Sequence, residues 1–404
     1  MKKTLLLLLL VFVVYRSANA QWSNTNYAYP MEVYGIHFIN EQVGFAAGYH
    51  EVYKTTDGGL NWSEIASNVF VNGPNGVWFM SENIGFIIGS DGGSNPQVSK
   101  TINGGTSWTT KTLPVVGMSF NSPNKIFFFD SNIGFIVGRN GNIYKTTNQG
   151  VDWVQQTSGT TEDITSVYFP TSIIGYASLM YSSSILKTIN GGNSWAKVEL
   201  GQTIGVKDLY FTDANNGYLA GSNSKILKTT NGGSSWNVFD FGTSDSFYAI
   251  EFTSSNIGYA AGQSGTIVTT TNSGTTWIPN NSGVSQLLYC MDFPSPQVGY
   301  IGMMGSPKKI IKTTNAGGIY SISEQTENAG FSLYPNPSRD IVSISANKTL
   351  LGLNYYIFDQ VGKAVLSGKI INETTTIDIS EIAAGVYLFQ LGEQKMQSLK
   401  IIKK

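Results

Sequence analysis

Cysteine, histidine and arginine are almost missing from this 404-residue chain, and each absence excludes something. A lone cysteine, Cys290, cannot close an intrachain disulfide, so packing has to hold the fold. It sits in the apolar run 288–293 and reads as a small packed residue. The two histidines, His37 and His50, have no cysteine partners and make no metal-ligand set. His37 stands where other repeats carry Trp78, Phe127, Tyr168 and Tyr210, a packed position, and His50 reads as an exposed loop residue. No charge of one sign dominates either, with 25 basic and 26 acidic residues and a net charge of −1. Nucleic acid and anionic membrane surfaces are therefore poor partners. The apolar run 5–14 is too short to span a bilayer. Preceded by Lys2 and Lys3 and followed by Ala18-Asn19-Ala20, it reads as a secretory signal over 1–20, cleaved before Gln21. Gln21 is not Cys, which argues against a lipid anchor, and no transmembrane anchor is expected. Losing Lys2, Lys3 and Arg16 with no acidic residue leaves a mature charge of −4.

What is abundant is repetition. Lys54-Thr55-Thr56-Asp57-Gly58-Gly59-Leu60-Asn61-Trp62 returns six more times, ending at Trp108, Trp153, Trp195, Trp236, Trp277 and, with Tyr in the Trp position, Tyr320. Successive ends are 46, 45, 42, 41, 41 and 43 residues apart, the period of a β-propeller blade. Each unit also has a Phe six residues before a Gly, from Phe38 and Gly44 to Phe293 and Gly299, and an aromatic follows each of those glycines. Short β-branched and aromatic runs bounded by Gly, Asn or Asp predict four antiparallel strands per unit. The fold class is all-β: a seven-bladed β-propeller over 21–320, followed by a small immunoglobulin-like β-sandwich. The last unit lacks an outer strand, and the segment beginning at Trp22 is expected to supply it, closing the ring and removing an exposed edge.

The pattern Thr-x-Asp/Asn-x-Gly-x-x-Trp resembles the Asp-box turn of bacterial propellers. Its residues are Asp57, Gly59 and Trp62; Asn103, Gly105 and Trp108; Asn148, Gly150 and Trp153; and Asn190, Gly192 and Trp195. Asn231, Gly233 and Trp236, then Asn272, Gly274 and Trp277, then Asn315, Gly317 and Tyr320 complete the set. The Asp or Asn oxygen can accept turn N–H groups, the glycine can take a positive φ, and the Trp buries between blades. By resemblance these turns are structural and face away from the ligand site. Asn in six of the seven copies argues against the alternative, a Ca²⁺ site in each turn, and no metal or cofactor is expected. The whole repeat, over about 22–320, looks like that of photosystem II assembly-factor propellers.

After a polar linker at 321–330, Tyr334-Pro335-Asn336-Pro337 opens a run of short alternating strands. It contains Ile357-Phe358-Asp359-Gln360-Val361-Gly362-Lys363 and Gly385-Val386-Tyr387, and ends on Lys400-Ile401-Ile402-Lys403-Lys404. This segment, 331–404, resembles the type A C-terminal sorting domain of the type IX secretion system. The resemblance implies that the type IX machinery is a partner and that the cargo ends on the outer-membrane surface or outside the cell.

For catalysis, the three arginines that a sialidase needs for its substrate carboxylate are absent, since Arg139 is the propeller's only one. A glycosidase or polysaccharide-binding protein using paired carboxylates is the alternative to a binding scaffold, with Glu162, Asp163, Asp208, Asp245, Glu251 and Asp292 near the entries to innermost strands. No two of them form a recognisable pair in sequence. The loops between second and third strands vary where the rest repeats, which makes Tyr49, His50, Asp91, Arg139 and Tyr181 the expected ligand face for an unknown protein or glycan.

Overall fold

The computed structural model describes residues 22–25, 32–92, 95–115, 122–306, 310–318, 331–359, 364–391 and 397–404. The expected signal region over 1–20, Gln21, Tyr320, the expected linker at 321–330, Gly362 and Lys363 lie outside them. Backbone contacts divide the chain into Met1–Ile319 and Tyr320–Lys404. Among the described residues no helix is long and apolar enough to cross a membrane.

The first unit holds seven four-stranded antiparallel sheets among the described residues. The first runs Val33–Phe38, Gly44–Gly48, Glu51–Thr55, Ser63–Ser67, from the innermost strand outwards. The innermost strands of the next six are Asn72–Phe79, Pro123–Phe128, Ile164–Tyr168, Val206–Phe211, Phe247–Phe252 and Leu287–Asp292. Each packs on the next, and the last packs on the first, so the blades form a ring around a channel. Second strands such as Gly44–Gly48 and Gly258–Gly262 are buried at every residue because a blade covers each face, whereas outer strands such as Thr109–Thr112 are exposed throughout.

The repeated Phe and Gly explain each other. Phe38, Phe79, Phe128, Phe169, Phe211, Phe252 and Phe293 stack on the aromatic of the preceding blade's second strand. Ring separations run from 3.4 Å for Phe79 on Phe45 to 4.8 Å for Phe128 on Phe86, and Phe38 on Tyr300, at 3.6 Å, closes the circle. To reach that neighbour each ring lies flat over the glycine of its own blade. A Cβ on Gly44, Gly85 or Gly217 would sit 2.2–2.3 Å from the ring. The repeat lysine stands directly across from the stacked aromatic, as Lys187 does from Tyr176, and places its ammonium 5.4 Å from the ring centre. Lys187 and the Tyr176 hydroxyl both donate to the Gly232 carbonyl in the next blade's turn, at 2.7 and 3.1 Å.

The seventh sheet takes its outer strand from the other end of the propeller, with Ser23 opposite Lys312 and Asn24 opposite Ile311. The repeat spacing puts Tyr320 at the last Trp position, but Tyr320 lies outside the described residues, and Trp22 packs where that Trp would. Trp22 is buried, and edge-on to Phe293 at 5.9 Å, as Trp62 is to Phe38 at 5.9 Å. The Trp always immediately precedes the outer strand, so when that strand comes from the N-terminal segment its Trp comes with it.

The second unit is a sandwich. Phe331–Tyr334, Ile341–Ala346 and Thr374–Asp378 form one sheet, and Ala364–Lys369, Asn354–Phe358, Gly385–Leu391 and Gln397–Lys403 form the other. Val342, Ile344, Ile357, Ile377, Phe389 and Ile401 are buried between them.

Gly217→Ala tests the stacking rule, because the new methyl displaces the Phe211 ring from Tyr176. Overpacking of this kind costs about 1–3 kcal/mol. A urea unfolding midpoint equal to that of the unchanged protein would show that the ring has room and that the glycine serves another purpose.

Candidate functional site

Seven turns carry the repeat motif, and in each the organising atom is a threonine hydroxyl. Thr55 Oγ1 donates to Asp57 Oδ1 at 2.9 Å and accepts the Gly59 N–H at 2.9 Å, while Asp57 Oδ1 accepts the Asn61 N–H at 2.8 Å. Thr101, Thr146, Thr188, Thr229 and Thr270 repeat this with Asn103, Asn148, Asn190, Asn231 and Asn272. Thr313 bonds Asn315 at 2.8 Å and accepts the Gly317 N–H. The glycines Gly59, Gly105, Gly150, Gly192, Gly233, Gly274 and Gly317 have φ between 63° and 93°, the left-handed region. Among the described residues no group of three or more His, Cys, Asp or Glu side chains could hold a metal ion.

The channel wall is where the titratable groups meet. Every innermost strand carries a bulge near its start, between Val33 and Gly35 in the first blade and between Leu288 and Cys290 in the seventh. The residue just before each stacked Phe lines the channel: His37, Trp78, Phe127, Tyr168, Tyr210, Glu251 and Asp292. From His37 to Tyr210 these rings form a continuous row, with neighbouring centres 4.3, 5.7, 5.2 and 4.7 Å apart. Where the row ends, Glu251 and Asp292 take over.

These acidic side chains join adjacent blades. Asp292 accepts the Phe38 N–H at 2.8 Å, Glu251 the Phe293 N–H at 3.2 Å, and Asp208 the Ile250 N–H at 3.2 Å. His37 Nδ1 accepts the Phe79 N–H at 3.3 Å in the same way. Asp208 also accepts from Ser166 Oγ at 2.6 Å and lies 3.7 Å from the Lys125 ammonium.

Burial and then the Asp292 charge push Glu251 well above the usual carboxylate range, and burial raises Asp292 to about 7 against the pull of the Phe38 N–H and Lys125. Burial alone would lower Lys125, but Asp208, Cys290, Glu251 and Asp292 together hold its pKa above the ordinary value. Protein surrounds these groups although water reaches them along the channel. His37 is pushed down to about 4, first by burial and then by Lys125, and so is neutral. Cys290 is half-buried on the channel wall, its thiol 3.6 Å from the Val33 carbonyl.

The expected carboxylates therefore separate. Glu251 and Asp292 are not at strand entries but at the turn-side ends of innermost strands, each just before a stacked Phe, and they are close enough for one charge to act on the other. Asp208 lies mid-strand. Glu162 is tied to Lys197 at 2.5 Å, Asp163 accepts the Asn140 N–H, and the Asp245 carbonyl accepts from Ser224. The signal for the channel pair was in the sequence: at the position that is aromatic in other blades, carboxylates appear twice.

Of the expected ligand-face residues, Tyr49 is exposed and packs on half-buried His50 at 4.1 Å, and Arg139 is exposed. Asp91 holds its own loop through the Asn95 N–H at 3.2 Å. Tyr181 is 69% exposed and belongs to a feature that the loop argument missed. Lys207 lies 5.0 Å from the Tyr181 ring centre and 5.4 Å from that of Tyr248. Tyr248 neighbours Tyr289 at 5.6 Å, Tyr289 neighbours Tyr34 at 5.9 Å, and Tyr34 donates to Glu32 at 2.8 Å. Lys207, Tyr248, Tyr289 and Tyr34 occupy the same register at the strand bulges, so they form an arc above the acidic part of the channel.

In the second unit, residues from opposite ends of the segment are fastened together. Asn336 Oδ1 accepts the Ile402 N–H at 2.9 Å, Ser338 donates to the Ile402 carbonyl at 2.8 Å, and Lys404 donates to the Ser338 carbonyl at 2.8 Å. Lys403 is buried, donates to the Arg339 carbonyl and lies 3.5 Å from Asp340. Tyr334 is exposed at its strand end, Pro335 and Pro337 flank Asn336, and Gly385 pairs with Lys403. The buried Tyr387 donates to the Ala383 carbonyl at 2.8 Å.

Residues 14–166 and 187–330 match the Photosynthesis system II assembly factor YCF48 family, and the chain belongs to that family. Residues 332–404 match the Secretion system C-terminal sorting domain. The fold is similar to a structure described as YCF48 bound to D1 peptide, at 19% identity and TM-score 0.60, covering 73% of this chain and 94% of that one. It is also similar to YCF48 from Cyanidioschyzon merolae, at 17% identity and TM-score 0.59, covering 74% and 99%. A third similar structure, the GH74 xyloglucanase from Xanthomonas campestris, is 11% identical with TM-score 0.56, covering 73% of this chain and 53% of that one. No curated protein matches the chain.

Raised carboxylate pKa values set a pH dependence. An acid that holds its proton more tightly when folded favours the folded state below its unfolded pKa, about 4, and that advantage is lost as pH rises through the folded value. For Asp292 the window closes at about 7. Stability should therefore fall between pH 4 and 7, and Asp292→Asn, which keeps an oxygen for the Phe38 N–H, should flatten the fall. Thermal melts of the two proteins with parallel pH slopes would contradict this.

Proposed function

We propose that this is a secreted or surface-displayed propeller that binds a partner through the channel-mouth face and performs no catalysis. The supporting observation is the use already made of the carboxylates. Glu251, Asp292 and Asp208 each accept a backbone N–H from the next blade, so each is committed to holding the ring together. The Lys207–Tyr248–Tyr289–Tyr34 arc offers aromatic surface on a rigid scaffold, a common composition for recognition. A propeller of the same family is described with a peptide bound.

The second reading is a glycoside hydrolase, favoured by one observation: Glu251 and Asp292 are neighbours whose proton affinities are both raised, as in an acid–base pair. Purified protein should release no reducing ends from a polysaccharide panel. Hydrolysis that is present and then lost in both Glu251→Gln and Asp292→Asn would establish the enzyme.

For destination, the sorting domain points to type IX export and to the cell surface or exterior. The domain plan supported by this reading is a signal over 1–20, the propeller over 21–320, a linker over 321–330 and the sorting sandwich over 331–404. Tyr334, Pro335, Asn336, Pro337, Gly362, Lys363, Gly385, Tyr387, Lys403 and Lys404 would carry the address. Deleting 331–404 should leave a folded propeller in the periplasm, seen by fractionation and protease resistance. Surface display of the truncated protein would overturn the assignment.

A further inference from the structure

Charge and aromatic surface at the channel mouth are complementary to one kind of group. Three acidic groups, Asp208, Glu251 and Asp292, face the channel against the Lys125 ammonium among them and Lys207 above. Burial and crowding favour protons on Glu251 and Asp292 that an arriving cation would displace, and the neutral His37 adds no positive charge. Asp208 is one register position below the arc and close enough for its charge to reach the Tyr289 hydroxyl. Glu251 and Asp292 lie two positions beyond that, and the full depth from the arc is about 10 Å at the rise of a strand. The arc already receives an ammonium, since Lys207 rests over Tyr181 and Tyr248. Tyr289 and Tyr34 continue it, and among the described residues no lysine or arginine lies over either ring. A cation over such faces is held by the ring quadrupole and gains further from desolvated carboxylates beneath.

We propose that the mouth bordered by Tyr248, Tyr289 and Tyr34 binds the lysine side chain of a partner protein, its stem along the tyrosines and its ammonium directed at the carboxylates below. The proposal rests on the binding reading above and names the chemistry of the partner. Lys207, seated over Tyr181 and Tyr248, is the pattern for such an occupant: a compact charge on a flexible four-carbon stem.

Isothermal titration of the full mature chain with acetylated tetralysine tests this, with n-butylamine, acetylated tetraglutamate and cellotetraose as comparisons. Tetralysine should bind, and more weakly as salt rises. Tyr289→Leu and Asp292→Asn should each weaken it about tenfold. Lys207→Gln should tighten it several-fold by freeing the Tyr248 face, a gain that misfolding cannot produce. Equal binding of tetralysine to Tyr289→Leu, Asp292→Asn and the unchanged protein overturns the site. Binding of cellotetraose in preference to tetralysine overturns the ligand class, and n-butylamine binding as tightly as tetralysine overturns the partner-protein source. Polysaccharide hydrolysis would instead sink the binding reading itself, an outcome these titrations do not imitate.

Discussion

Every blade is held to the one before it by a flat aromatic stack, and that stack is possible only over a glycine. The Phe of each innermost strand must cross its own second strand to reach the neighbour's ring, and any side chain beneath it would lie within 2.6 Å. The consequences spread outward. The stacked aromatic must sit on the second strand, which is buried on both faces, and a lysine across from it, such as Lys187, gains a ring face and a turn carbonyl to bind. That lysine and the tyrosines then fix the next blade's turn. The interaction is cyclic, so it has to close. Phe38 on Tyr300 and Trp22 against Phe293 are the two places where sequence-distant segments complete it.

Much of this was legible in the sequence because the physics recurs. A Phe six residues before a Gly, repeated seven times, marks a ring over a glycine, even though the partner in the preceding blade is invisible in any single unit. The Trp22 segment was legible as a closing strand. The last Trp position is less legible from spacing, because Tyr320 continues the period while Trp22 comes with the outer strand that follows it. The threonine at the centre of each turn was visible in every copy and overlooked, since the eye goes to the Asp or Asn that the hydroxyl supports.

The channel was harder to read for a physical reason. In a regular strand, alternate residues share a face, and that rule leaves Tyr34, Tyr248 and Tyr289 off the face that carries the row just before the stacked Phe residues. A bulge at each strand start breaks the alternation and brings the residue beside it towards the mouth. Sequence position alone therefore points to loop carboxylates such as Glu162, which is engaged locally by Lys197, rather than to carboxylates along the strands. Asp91, similarly, holds its own loop instead of presenting its charge outward.

The placement of acidic groups in one sector of the ring follows from what each blade offers its neighbour. A bulky ring just before the stacked Phe packs sideways on the next ring, and from Trp78 to Tyr210 this suffices. Glu251 and Asp292 are smaller, and the gap they leave exposes a neighbouring strand N–H that must find an acceptor. Their carboxylates supply it, at the cost of crowding negative charge in a confined space, where one Lys125 serves three acids. An amide would satisfy the same N–H without that penalty. Carboxylates beneath a row of tyrosines therefore hold the ring as an amide would and also give this side of the channel an affinity for positive charge, which protons meet in part.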